Sequence, residues 1–249
     1  MTGEVSPPQR DPARTDWRGL LFADDRHGPL PVLLLGLTVV TGLVDAVSIL
    51  SLGRVFVANM TGNVVFIGFA VAGAPGFSLA ASLSALAGFL VGAAASGRLV
   101  ARYRVDRGRL LLAGIMFELA FVAGGLVLVA VADQVTSGVR DSTAALLAIG
   151  LGAQNAVVRA LAVPDLTTTV LTLTLTGLVT DIRAGANPAM LRRILAVTTM
   201  FGGAVLGALL VLGPGPVAAL GAATAVLSLV TVVGAVVTRR PERWHTPVG

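Results

Sequence analysis

The chain has no cysteine, no lysine and only two histidines, and charged residues make up 12% of its 249 positions. Each shortage removes a chemistry. Without cysteine there is no disulfide, zinc thiolate, iron–sulfur cluster or thiol nucleophile. His27 and His245 lie in the polar tails, so the hydrophobic part holds no imidazole base and no histidine metal cluster. A soluble domain carries about a quarter charged residues, and half that share is too little for a soluble surface. The missing lysine, taken with the excess of Ala, Gly and Val, is read as coding bias and says little about function.

What is present is apolar, at 55% hydrophobic. Residues 30–97 hold only Asp45 and Arg54 as charges, and residues 194–238 hold none. Uncharged runs of that length define an all-α, polytopic helical membrane protein. A net charge of +5 is compatible with nucleic-acid binding, but the arginines sit in short segments between apolar runs rather than on one basic face. Residues 1–29 are proline- and charge-rich with no apolar core, which predicts a disordered arm and no secretory signal peptide. Trp17, Leu20, Leu21 and Phe22 are sticky residues within that arm, or a short interfacial turn. The C-terminal tail from residue 239 is short and basic, with Trp244 at interface distance.

Eight apolar segments stand out, at about 30–52, 55–73, 77–97, 110–132, 143–163, 166–182, 194–213 and 216–238. A helical span takes about 20 residues. The second and sixth are short and carry hydrogen-bonding side chains through their middle: Asn59, Thr61 and Asn63 in one, and Thr167–Thr169, Thr172, Thr174 and Thr176 in the other. The positive-inside rule separates eight spans from six. If all eight cross, the cluster Arg98, Arg102, Arg104, Arg107 and Arg109 falls on the wrong side. If the second and sixth dip in and leave by the side they entered, every arginine cluster shares one face. We therefore expect six spans plus two re-entrant or broken helices within one transmembrane domain over residues 30–238. Both termini are then cytoplasmic.

A weak internal match, offset by about 110 residues, suggests an inverted repeat, with units of about 30–132 and 142–238. Gly42-Leu43-Val44-Asp45-Ala46-Val47 lies over Gly152-Ala153-Gln154-Asn155-Ala156-Val157. Gly88 and Gly92 fall over Gly203 and Gly207. Three crossings in each unit invert the second relative to the first, and interrupted polar segments in matching positions point to a transport site near the midplane.

These residues also carry a resemblance. Thr41-Gly42-Leu43-Val44-Asp45-Ala46, followed by Val55-Phe56-Val57-Ala58-Asn59-Met60-Thr61-Gly62-Asn63-Val64, resembles the YoaK family of bacterial multi-pass membrane proteins. In that family a Gly-x-x-Asp-Ala element leads into Phe-x-x-Asn-Met-Thr-Gly-Asn. The second-half pattern, from Gly152 to Gly177, is similar too, except at Leu173, where Gly62 predicts a small residue. The resemblance covers about residues 30–238 and implies membrane location and fold. The family is one of unknown function, so it supplies no substrate.

Asp45 lies about halfway along the first span and Glu118 within the fourth apolar segment, and these are the two acidic residues well inside the spans. Intramembrane carboxyls face a cavity or a partner, so each is a candidate ion, proton or solute contact, or else a structural anchor. The candidate pathway comprises Asp45, Asn59, Thr61, Gly62, Asn63, Glu118, Gln154, Asn155, Thr172 and Thr174. Gly62 suits a broken helix, and the amides beside it either bind a solute or stitch the segment to its neighbours. Gly88, Gly92, Gly203 and Gly207 form close-packing stripes. Arg159 and Asp165 flank the turn into the second dip as an expected ion pair.

Two functions follow. One is a small-solute transporter or channel whose polar path is lined by the two interrupted helices. The other is a non-transporting scaffold, sensor or assembly partner in which the polar residues are structural. One aspartate and one glutamate on separate helices fall short of a catalytic constellation, so no enzyme activity and no cofactor is expected. The expected partners are the lipid bilayer, a small polar solute or ion, and a second copy of the chain.

Overall fold

The computed structural model describes residues 27–169, 171–181, 188–239 and 244. Among them are eight α-helices: α1 (Leu30–Ser51), α2 (Met60–Val71), α3 (Leu79–Arg102), α4 (Arg107–Val131), α5 (Ser137–Leu161), α6 (Thr172–Asp181), α7 (Pro188–Leu212) and α8 (Pro216–Val237). Six are apolar and 22 to 25 residues long. At 1.5 Å per residue these reach roughly 33–38 Å, enough for a hydrocarbon core of about 30 Å. α2 and α6, with 12 and 10 residues, are far too short to cross. Most of the N-terminal arm, including Trp17 and Leu20–Phe22, lies outside the described residues, as do Arg183 and His245.

Helix ends fall where capping chemistry puts them, which for α4 and α5 is several residues before the hydropathic edges. Asp106 accepts from Arg109 N (2.9 Å), Thr136 from Val139 N (3.4 Å) and Ser78 from Ala81 N (3.2 Å). α4 therefore begins at Arg107 and α5 at Ser137, and α3 runs on through Arg98 to Arg102. Proline at the first turn opens α1 and α8.

Both short helices return to the side of entry. Gly53, just past α1, and Gly76, just before α3, line one cavity, so residues 54–75 enter and leave at the same end. In the second half Asp165, four residues past α5, pairs at 2.7 Å with Arg193 near the start of α7. The pairing expected between Asp165 and Arg159 is not made. Arg159 is exposed, whereas Arg193 reaches the carboxylate across Gly177, where any side chain would strike its guanidinium.

At that same end, Arg107 donates to Leu161 O (2.6 Å) and lies 3.3 Å from His27 Nδ1. Trp244 is buried there against Gly28, so the last described residue packs beside the first described turn.

The core lies between α1, α4 and α5 and the helices that cross them. α3 packs on α5 and α7 on α1, while α4 touches α5 and α8, and α8 touches α1. Exchanging α1 with α5, α2 with α6, α3 with α7 and α4 with α8 leaves the main set of helix contacts unchanged. The close approaches are made by glycine. A Cβ at Gly92 would strike the backbone of Ile149 and one at Gly152 that of Phe89; equivalently, Gly203 meets Val39 and Gly42 meets Met200. The contacts thus put Gly92 in the place of Gly203, one turn from the alignment read in the sequence. Outward faces stay apolar: Leu90, Val127, Phe201, Leu209 and Leu229 are exposed as a lipid-facing surface would be.

Candidate functional site

α1 and α5 each carry a polar residue in their last third, Asp45 and Asn155, each six residues before the helix ends, and each meets the chain entering a short helix. In the first half, residues 52–59 leave the helical conformation, with Gly53 and Arg54 at positive φ. This brings the backbone N–H groups of Val57 and Ala58 to the Asp45 carboxyl, while Asp45 Oδ1 is buried without a hydrogen-bond partner. In the second half, Asn155 Nδ2 donates to Thr169 Oγ1 at 2.6 Å. Thr168 beside it, at φ 59°, shows that the entering chain is kinked there too.

Glu118 on α4 is fully buried. Gln154 is read with its amide nitrogen toward Glu118, since the opposite orientation would set a carbonyl oxygen against two carboxyl oxygens. Gln154 Nε2 then donates to Glu118 Oε1 (2.6 Å) and Oε2 (3.1 Å), and Gln154 Oε1 accepts from Thr168 (2.8 Å) and Thr41 (3.2 Å). Thr41 also lies 3.1 Å from Leu37 O, so its one proton serves two acceptors. The network joins α1, α4, α5 and the second kinked segment. A narrow void with no room for a water molecule adjoins it, lined by Leu37, Ile115, Glu118 and Gln154 among others.

Other expected pathway residues go elsewhere. Asn63 is buried against its own segment: it accepts from Phe56 N (2.9 Å), donates to Phe56 O (2.5 Å) and lies 3.6 Å from Met60 Sδ. Gly62 is needed because a side chain there would strike the Phe56 ring. Asn59 precedes α2 without a side-chain capping bond. Thr61 and Thr172 are exposed, and Thr174 is buried. Leu173 points outward with 76% of its surface exposed, which is why bulk is tolerated where Gly62 has none. Asp45, Asn59, Asn63 and Asn155 line neither the void beside Glu118 nor the cavity at Gly53 and Gly76.

Thr41 and Thr168 were not among the expected site residues. Thr41 lies one turn before Asp45 on the same helix, a spacing that could have flagged it. The Gln154–Glu118 contact joins two helices and has no local signature.

Six membrane-length apolar helices and buried intramembrane carboxyls define an integral membrane protein of polytopic helical type. The chain belongs to the family described as "Protein of unknown function (DUF1275)", which it matches over residues 33–233. A relative, the UPF0700 transmembrane protein YoaK of Bacillus subtilis (strain 168), is 32% identical over 157 residues. That match covers 60% of this chain and 66% of the relative, just under two thirds of its length. No solved structure matches the chain.

Proposed function

We propose that the protein is a small-solute transporter or channel of the bacterial inner membrane, built as an inverted repeat whose two re-entrant segments flank a polar site at mid-membrane. One observation carries this reading: in each half a polar residue six residues inside the end of a span, Asp45 or Asn155, meets an irregular segment. Irregular backbone at that depth persists where it is buried in protein or lines water, and broken segments in matching positions mark transport sites. The exchange relation among the helix contacts supports the repeat, and three crossings per half supply the inversion. The dry void beside Glu118 corresponds to a closed state of the path. The end holding Arg107, Arg193 and Trp244 is assigned to the cytoplasm by the positive-inside rule.

The test is flux of small polar solutes into proteoliposomes. Wild-type protein passes at least one of them, Asp45→Asn and Glu118→Gln slow that flux about tenfold or more, a barrier change of about 1.4 kcal/mol, and Arg159→Gln leaves it unchanged. Absence of flux for every solute, with Asp45→Asn silent in cells, overturns the reading. The bonds that Asn63 and Asn155 make inside the protein favour the second reading, a non-transporting scaffold, sensor or assembly partner. It predicts vesicles no leakier than empty ones, and an Asp45→Asn variant altered only in stability.

A further inference from the structure

A second site lies at the end of the bundle opposite Arg107. There the first re-entrant segment and the start of α5 enclose a cavity of about 260 Å3, bordered by Gly53, Gly76, Ser78, Ser137, Arg140 and Asp141. It is half open and lies apart from the mid-membrane network. Two positive features line it, and a third, Arg54, stands against the lining residue Gly76. Arg140 is part of its wall. Arg54 is held at φ 60°, a conformation costly for a non-glycine residue, and its Nη1 lies against Gly76, within about 3.1 Å of where a Cβ would stand. The N-termini of α3 and α5, capped by Ser78 and Thr136, bring two helix-dipole positive ends to the same wall. Among the described residues neither arginine is in an ion pair. Asp141 is the one acidic group in the lining. It opposes a second negative charge on any ligand.

We infer that this cavity binds a small monocarboxylate, its carboxylate held by Arg140 between the two helix ends, and its apolar tail against Leu52, Phe77 and Ala81. Arginine suits this ligand because its planar fork matches a carboxylate. Gly76 sits at φ 85°, a conformation that favours glycine, and a Cβ there would stand about 3.1 Å from Arg54 Nη1. The inference does not depend on transport, since it concerns binding alone.

Thermal melting of the detergent-purified full chain tests it, with propionate as probe and succinate as the dianionic comparison. Propionate is expected to raise the melting temperature saturably, and succinate to do so only at higher concentration. Arg140→Gln should raise the propionate midpoint about tenfold, a difference of about 1.4 kcal/mol. Ser137→Phe, which fills the cavity from an exposed position and leaves every charge in place, should abolish the response. Asp141→Asn should bring succinate level with propionate. No saturable propionate response in the wild type overturns the inference, as does a response unchanged in both Arg140→Gln and Ser137→Phe. A wild-type response to succinate stronger than to propionate overturns the assigned ligand class.

Discussion

Gly92 and Gly203 owe their identity to a carbonyl on another helix rather than to anything on their own. A methyl at Gly92 would strike the Ile149 backbone, which has no flexible end to move aside. Gly92→Ala is therefore expected to lower stability by about 1–3 kcal/mol, the cost of overpacking a close interface. Gly124→Ala, where nothing stands within 4 Å, should be neutral. Detergent melting curves of the two variants side by side check this. Asn63 is a different case, because its amide closes both backbone groups of Phe56. Asn63→Ala removes the partner of that part-buried N–H and C=O, at a total of about 1–3 kcal/mol, whereas Asn59→Ala removes no capping bond and should melt close to wild type. Both asparagines look alike in the sequence. Which one stitches and which does not is decided by where the chain turns at Gly53 and Arg54, and no side-chain pattern records that.

Among the elements, the six spans were legible as long apolar runs, and the two short ones as runs with polar middles. Their ends were less so. Hydropathy stops at the first charge, while Asp106 and Thr136 start helices by accepting from backbone amides three residues on. The Arg193–Asp165 pair was illegible because its partners stand 28 residues apart and meet only once α6 folds back under Gly177. With side chains mostly buried, at 15% and 18% exposure, this pair ties the second re-entrant segment to α7. Arg193→Gln should speed amide exchange in α6 several-fold while leaving α2 unchanged, as measured by hydrogen–deuterium exchange. Equal protection of α6 in wild type and variant would show that the pair fastens nothing. The kinked turn itself, with Ala162, Asp165 and Thr168 all at positive φ, is a strained element that such a tie helps to hold.

For the molecule as a whole, the arrangement of charge carries most of the argument. Arginine clusters gather at one end, with Arg54 and Arg140 at the other, and the polar residues left inside gather where re-entrant chain meets α1 and α5. α8 carries no acidic residue, so the exchange relation among the helix contacts does not extend to Glu118 and its network. The sequence pointed to Asp45 and Asn155 through their matching depths, and to Glu118 through its isolation. It could not show that Gln154 joins Glu118, since that contact depends on how α4 and α5 pack. Residues 54–75 enter and leave the bundle at one end, which makes six crossings rather than eight. The absence of native cysteine makes single-cysteine labelling a direct test. In intact cells, a membrane-impermeant maleimide should label Arg54→Cys and Ala74→Cys from outside, and Arg104→Cys only after permeabilisation. External labelling of Arg104→Cys, with Ala74→Cys protected, would contradict it.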